Sequence, residues 1–558
     1  MSIESTYIAL AQLTEICAAH GVKYAVLSPG SRSAPLALSI MRNEKITHFV
    51  LTDERSAAYT ALGIARQTQS PVVLVCTSGT AALNYAPAVA EAFFCELPLI
   101  VITADRPPEW IAQADNQSIY QENIYGKHIK YFANLPLDFT ITESIWHSQR
   151  QMNEALIVAK EGKMGPVHIN VPLREPLYML NTINSFPAPK LILRENLNAK
   201  YTLPKEFINK IRTYKKILVV AGMHVPDAKL IRLLEQMPNL CLMADVSSNL
   251  HDVKGVLLHT DLFCDIEKNK HLNTLCPELV ISIGGPIVSK HVKNFLRKKQ
   301  IQEHWHIGLG NLAADTYQHL NVHIPAPANE FFHALLEAGI SFNKKYAAMW
   351  QQVEEEMRDM VEKGFKKIPF SESAACWKIL KAVPERSILH IGNSLAIRHL
   401  TSFPYFSAFS EIYANRGTSG IDGSVSSAAG HSMTDERMHI LFLGDLSFMY
   451  DSNGLWNKYL KGNLKIVILN NFGGRIFESL PGASVQAELN EYFVTEQNLN
   501  FESLAKHFNA TYFSAENDKQ LNSALTEFFK VNTKVSILEL KFKNNLSLGE
   551  IKKKIQGK

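Results

Sequence analysis

Short, predominantly apolar runs recur along this chain, separated by longer stretches whose apolar positions follow a helical period. Tyr24–Leu27, Thr47–Leu51, Val72–Cys76, Leu99–Thr103 and Val167–Val171 are such runs in the first third. Lys216–Ala221, Leu240–Ala244 and Leu279–Ile283 follow, and then Ile388–Ile391, Ile412–Ala414, His439–Leu443, Leu464–Leu469 and Val535–Leu540. A run without polar alternation is the pattern of a strand covered on both faces. Strands alternating with helices predict an α/β protein built on parallel sheets. The stretch from Gln67 to Ala90 carries no charge, but Ser78, Gly79, Asn84 and Pro87 break it. It reads as strand, turn and helix (Ala81–Phe94), not as a membrane span. Phe186-Pro187-Ala188-Pro189-Lys190 reads as a linker, and the charged helical stretch Lys344–Lys367 as a connector. Three blocks result, at 1–185, 200–345 and 368–558. The first and third look like two copies of one architecture without visible sequence repetition.

Composition narrows the function classes. A length of 558 residues fits two to four domains, and 46% hydrophobic content is ample for large cores. A net charge of +4 is close to neutral at this size, so no nucleic-acid footprint is expected. Seven scattered cysteines, odd in number and without a Cys-x-x-Cys pair, fit buried reduced thiols. The first residues lack a basic region and an apolar signal core, so a cytoplasmic protein is expected.

Candidate chemistry lies where strands end. His439–Gly444 leads into Asp445, and Leu464–Leu469 leads into Asn470-Asn471-Phe472-Gly473-Gly474. A helix is expected between them, over Asp451–Leu460. Ligands of open parallel sheets bind beyond the carboxyl ends of strands. Mg²⁺ takes one or two protein oxygens plus phosphate oxygens, which one Asp, one Asn and a Gly-rich turn can supply. Near the other end of the chain, Glu54 follows a strand-like run and precedes an Ala-rich helix. Taken alone, it reads as an acid favoured at a helix start. Arg32, Arg106, Arg398 and Arg416 sit in Gly-, Pro- or Ser-rich loops or at a helix start, and the guanidinium fork matches carboxylates. Ser394 and Arg398, four apart, are expected on one helix face. The Ser78-Gly79-Thr80 turn suits either an anion at a helix N-terminus or tight strand–helix packing.

Gly444-Asp445 followed by Asn470-Asn471 resembles the signature of thiamine-diphosphate enzymes. Their usual third residue is Gly, where this chain has Leu446. Ser28-Pro29-Gly30-Ser31-Arg32-Ser33, Asp53-Glu54-Arg55, Thr77-Ser78-Gly79-Thr80-Ala81, Thr103-Ala104-Asp105-Arg106-Pro107-Pro108 and Asn415-Arg416-Gly417-Thr418-Ser419-Gly420-Ile421-Asp422-Gly423 resemble one branch of them. That branch is the menaquinone-pathway synthases of 2-succinyl-5-enolpyruvyl-6-hydroxy-3-cyclohexene-1-carboxylate, in which Gly-Asp-Leu-Ser is the expected form. The resemblance covers roughly residues 5 to 545. It implies pyrimidine-binding, central and diphosphate-binding domains for the three blocks, and a homodimer or homotetramer with active sites at the subunit interface. Thiamine diphosphate and Mg²⁺, with Mn²⁺ as an alternative, are the implied cofactors, and 2-oxoglutarate and isochorismate the implied substrates. Glu54 takes the place of the glutamate that hydrogen-bonds and activates the cofactor aminopyrimidine. Asp445, Asn471 and the Gly473 carbonyl take the places of the metal ligands. Ile421, Gly444, Leu446, Ser447, Gly474, Ile476 and Phe477 take those of further cofactor contacts. Arg32, Arg106, Gln117, Ser394, Arg398 and Arg416 take those of catalytic and substrate contacts. Lys290 is a weaker substrate contact, because the second basic position beside it is His291. Two other readings stay open at this point. One is a different thiamine-diphosphate 2-oxoacid enzyme, such as an acetolactate synthase or a decarboxylase. The other is a non-catalytic protein of the same fold that binds a nucleotide or a partner.

Overall fold

The structure, a computed structural model, describes residues 3–178, 185–194, 201–265, 271–298, 301–310, 314–543 and 546–557. The expected start of the second block, residue 200, and the end of the third, Lys558, lie outside these ranges.

The described strands form three parallel sheets. The first contains β1 (Tyr24–Leu27), β2 (Thr47–Val50), β3 (Val72–Cys76), β4 (Leu99–Asp105), β5 (Phe132–Asn134) and β6 (Val167–Pro172), in the order β2-β1-β3-β4-β6-β5. The second contains β7 (Ile217–Ala221), β8 (Leu242–Ala244), β9 (Leu279–Ile283), β10 (Glu303–Ile307) and β11 (Leu320–Ile324), in the order β11-β10-β9-β7-β8. The third contains β12 (Ser387–Ile391), β13 (Phe409–Ala414), β14 (His439–Gly444), β15 (Leu464–Asn470), β16 (Thr511–Ala515) and β17 (Ser536–Lys541), in the order β13-β12-β14-β15-β17-β16. The first and third orders are the same pattern, so the two blocks do repeat one architecture. Every residue of β3, β4, β6 and β15 is buried, the polar His168 and Asn170 of β6 and Lys465 of β15 among them. Each Val, Leu or Ile so covered contributes roughly 1.5–3 kcal/mol.

Four strands escape a reading by apolar runs. β5 is a three-residue edge, and β11 and β16 are edges with partly exposed positions. β10 is interior but reads Glu-His-Trp-His-Ile. Each of its imidazoles has a partner inside the sheet, where Ser282 Oγ meets His304 Nε2 at 2.7 Å and His306 Nδ1 at 2.9 Å, while His304 Nδ1 is buried without a partner among the described residues. The helix expected over Ala81–Phe94 is two helices, Thr80–Asn84 and Ala86–Phe94, because Pro87 withholds an N–H near the start of the second. The helix expected over Asp451–Leu460 is displaced: Asp445–Tyr450 is helical and a 3₁₀ turn covers Ser452–Leu455. The connector helix spans Lys344–Phe365. All seven cysteines are free thiols. No helix among the described residues is long and apolar enough to cross a membrane.

The chain folds as two compact units. The first joins Met1–Leu197 with Asn415–Glu436 and Phe448–Leu464. In it, helix Glu54–Thr68 lies against helix Ser424–Met433, every residue of which is buried. A Cβ on Gly63 would stand 2.1 Å from the Ser427 carbonyl oxygen, and one on Gly430 would stand 2.0 Å from that of Thr60. Only residues without a side chain permit this approach. The second unit holds Asn198–Ala414, Arg437–Ser447 and Lys465–Lys558, and with them the second and third sheets.

Candidate active site

In the third sheet the chain leaves β12 toward β13 on one side, while β14 leads to β15 on the other. Such a reversal opens a crevice at the carboxyl ends of β12 and β14. Asp445 stands at the end of β14. Its Oδ1 accepts the Leu446 N–H and its Oδ2 accepts the Gly473 N–H, each at 2.8 Å. Burial pushes its carboxyl up to about 6 against the pull of those donors, and nearby Glu372 adds to the rise. Among the described residues no cationic side chain is paired with it. Asn471 follows β15. Its Nδ2 donates to Glu372 Oε1 at 2.9 Å, whereas its Oδ1 is buried and has no hydrogen-bond partner among the described residues. Phe472 is left-handed at φ 63°, and Gly473 at φ 144° brings its backbone so close to Val494 that a Cβ would lie 2.6 Å from the carbonyl oxygen there. The Gly473 carbonyl accepts the Arg475 N–H at 3.0 Å and keeps its second lone pair. Gly474 donates to Val494 O at 2.7 Å, which secures the 3₁₀ turn Arg475–Ser479 carrying Ile476 and Phe477. Gly444 ends β14 with open space where a Cβ would be, and Ser447 is buried. No cluster of three or more His, Cys, Asp or Glu fit for a metal occurs among the described residues. Any metal here therefore rests on one carboxylate, one amide oxygen and backbone, a donor set suited to a hard cation.

Ser394 is not on the face of a helix with Arg398. It precedes helix Leu395–Ser402 in a left-handed conformation at φ 68°, and Arg398 is exposed on the first turns. Lys290 opens helix Lys290–Lys298 with its side chain exposed. The ring of His291 is committed to Asp265, with Nδ1 3.0 Å from Oδ1.

The first sheet has the same reversal, between β1 and β3. Arg32 follows β1, the Thr77–Thr80 turn follows β3, and Arg106 and Gln117 follow β4. Arg32 is buried, donating to the Leu173 carbonyl at 2.9 Å and to Glu175 Oε1 at 3.2 Å. Burial, and next the charge of Arg106, hold its guanidinium below the ordinary arginine range, so the two cations are neighbours. Arg106 pairs with Asp115 at 3.0 Å and donates to the Asn116 carbonyl at 2.7 Å. Gln117, left-handed at φ 53°, passes directly over Gly79. The Gly79 N–H is taken by Gln121 Oε1 at 2.9 Å, which favours the packing role for this turn. Glu54 is the first residue of helix Glu54–Thr68, capped by Asp53, whose Oδ1 accepts the N–H groups of Arg55 and Ser56. The neighbours of Glu54 are braced: Asn453 donates to Asp53 and Arg55 donates to the Tyr450 carbonyl. Burial raises the Glu54 carboxyl, its own backbone N–H opposes this, and the charge of Asp53 adds to it. Five residues along, Tyr59 donates to Asp422 at 2.7 Å and holds the Ile421–Gly423 turn.

Three residues that the sequence reading passed over support these groups. Gln121 also donates to Asn170 and to the Ala104 carbonyl, tying down the segment that carries Gln117. Glu91 anchors the loop that begins at Arg416 through Gly417 and Thr418. Glu372 holds Asn471. A lone acid in the apolar helix Ala86–Phe94 was a signal for Glu91, whereas Glu372 looked like an ordinary first-turn acid.

Residues 9–125 match the N-terminal TPP binding domain of thiamine pyrophosphate enzymes, 187–391 their middle domain and 397–539 their C-terminal TPP binding domain. The chain is 39% identical to 2-succinyl-5-enolpyruvyl-6-hydroxy-3-cyclohexene-1-carboxylate synthase of Cytophaga hutchinsonii, over 98% of this chain and 99% of the relative. It is 38% identical to the Flavobacterium johnsoniae enzyme of the same name, over 98% and 99%. Identity to that of Porphyromonas gingivalis is 35%, over 93% and 92%. The chain belongs to the 2-succinyl-5-enolpyruvyl-6-hydroxy-3-cyclohexene-1-carboxylate synthase family of thiamine pyrophosphate enzymes. Within this family assignment, Arg32, Glu54, Arg106 and Gln117 fall in the N-terminal TPP binding match. Arg398, Arg416, Ile421, Asp445, Asn471 and Gly473 fall in the C-terminal one.

Proposed function

We propose that this chain is the synthase of its family's name. In this reading it decarboxylates 2-oxoglutarate and joins the remaining four-carbon unit to isochorismate by conjugate addition, giving 2-succinyl-5-enolpyruvyl-6-hydroxy-3-cyclohexene-1-carboxylate and CO₂ in menaquinone biosynthesis. The observation that carries the reading is similarity to synthases of one name over nearly the whole of both chains.

The residues present fit the cofactors. Among the described residues Asp445 is a buried carboxylate without a paired cation, and the buried Oδ1 of Asn471 has no hydrogen-bond partner. Mg²⁺ or Mn²⁺ would satisfy both, with the Gly473 carbonyl as a third oxygen, and would hold the cofactor diphosphate. Thiamine diphosphate, when bound, supplies carbanion-stabilising chemistry at the carbonyl carbon of the 2-oxoacid. Glu54, half buried at a helix start, would hold and share a proton with the aminopyrimidine of the bound cofactor. Ile421, Ile476 and Phe477 provide apolar support for the rings. Each substrate carries two carboxylates, and Arg32, Arg106, Arg398 and Arg416, with Gln117 and Ser394, bind and orient them. Lys290 is a further cation for the same task. The active form is a cytoplasmic homodimer or homotetramer with Glu54 from one subunit and Asp445 from the next at each site. Exposed Leu83, Phe94, Tyr450 and Trp456 in the first unit support association with a second copy.

The test is an ultraviolet assay of isochorismate consumption with thiamine diphosphate, Mg²⁺ and 2-oxoglutarate, each omitted in turn. Consumption that requires all three is expected. CO₂ release from 2-oxoglutarate or pyruvate without isochorismate loss would move the chain to the decarboxylase or acetolactate branch.

A further inference from the structure

Asn471 offers two similar atoms at the end of its side chain, and only one of them can serve a cation. An amide turned the wrong way would present N–H groups to the metal. Rotation about one bond exchanges the two, so something must specify the orientation. Glu372 is placed to do so. It is fully buried as the first residue of helix Glu372–Ala382, where the positive end of the helix favours an acid. Its Oε1 accepts from Asn471 Nδ2 at 2.9 Å. A carboxylate accepts and does not donate, so it takes the NH₂ side of the amide and repels the oxygen side. The Asn471 oxygen is thereby turned away from Glu372, and it is the atom left buried without a partner among the described residues.

Glu372 is itself held. Its Oε2 lies 2.9 Å from His399 Nε2, and His399 Nδ1 lies 2.7 Å from Ser373 Oγ. Acid, imidazole and hydroxyl have the connectivity of a nucleophile relay. All three are buried, however, with Ser373 only 1% exposed, so no substrate reaches that hydroxyl. A fixed carboxylate that faces an amide is the remaining use. We infer that Glu372, braced by His399 and Ser373, is a positioning residue that sets the amide orientation of Asn471 and so presents its oxygen to the divalent cation. This rests on the metal-site reading above.

The test measures Mn²⁺ affinity by electron paramagnetic resonance in the presence of thiamine diphosphate. It is paired with the rise in melting temperature that Mn²⁺ and the cofactor together produce. The parent chain comes first: no binding there overturns both the metal-site reading and this inference. Glu372→Gln keeps the shape of the side chain but can face Asn471 with either its oxygen or its NH₂. It is expected to weaken Mn²⁺ roughly 10-fold, the lower end of the usual loss when a ligand's supporting partner is changed. The ligand-induced rise in melting temperature should shrink, while the melting temperature of the ligand-free protein moves little. In an Asn471→Asp background both terminal atoms are oxygen, and there Glu372→Gln should weaken Mn²⁺ little or strengthen it. Parental Mn²⁺ affinity in Glu372→Gln, or the same loss in both backgrounds, overturns the inference and leaves the metal site standing.

Discussion

Glu91 accepts two hydrogen bonds from Thr418, one from its backbone N–H at 2.6 Å and one from its hydroxyl at 2.7 Å. The Gly417 N–H at 2.9 Å and the Cys95 thiol at 3.0 Å complete its set. A buried carboxylate thus fastens the loop that begins at Arg416 to helix Ala86–Phe94. Leaving such donors unsatisfied costs about 1–3 kcal/mol each. Glu91→Ala is expected to lower stability by about 3 kcal/mol and to raise the KM for the carboxylate substrates about 10-fold, with a smaller effect on kcat. Denaturation and steady-state kinetics on the same preparation check both parts.

Glu54→Gln keeps a hydrogen-bonding group at the start of its helix but cannot share a proton in the same way. Thiamine diphosphate should bind nearly as in the parent, by calorimetry, while turnover falls by roughly 100-fold or more. Near-parental turnover would remove Glu54 from its proposed role.

The metal reading predicts that chelation abolishes thiamine-diphosphate binding and that Mg²⁺ or Mn²⁺ restores it. Asp445→Ala removes the one carboxylate of the set and should prevent that restoration at any practical cation concentration. Cofactor binding followed by fluorescence quenching, with and without chelator, distinguishes the outcomes.

Asp451 supplies a pH dependence of stability. It is fully buried, accepting the N–H and hydroxyl of Ser426 at 2.7 and 2.8 Å, and burial pushes its carboxyl up to about 7 from an ordinary 3.8. The folded chain therefore holds this proton where the unfolded chain has released it. Its contribution is fully present below the ordinary value and is lost as pH rises through about 7. Asp451→Asn cannot lose that proton, so its melting temperature relative to the parent should climb between about pH 4.5 and about pH 7.5. A difference that stays flat over this range would contradict the shift.

The interior strands and the loops after them were legible because parallel strands buried on both faces leave predominantly apolar runs. Asp445 and Asn471 stood out because each follows such a run at its end, whereas Glu54 looked like an ordinary helix-start acid until the resemblance of Asp53-Glu54-Arg55 singled it out. What the chain does not display is which distant residues meet. Gln121 and Gly79, Glu372 and Asn471, and Tyr59 and Asp422 are separated by up to several hundred positions, and no local pattern couples them. The strand β10 hid behind its histidines, whose rings meet Ser282 of a neighbouring strand. The displaced helix after β14 shows the opposite error. Asp445 is itself a helix start, so the boundary expected at Asp451 came six residues late.

The contact of Gly63 and Gly430 with opposing carbonyls has a consequence for where this protein tolerates change. Helix Glu54–Thr68 carries Glu54 at one end and is clamped against its neighbour farther along. A rigid rod gripped at one point fixes the reach of its tip. A single methyl group at Gly63 would force the two helices apart and shift the tip with them, although it touches no reactant. Substitutions that silence the enzyme should therefore trace a seam of small residues leading away from the site, as well as a ring around it.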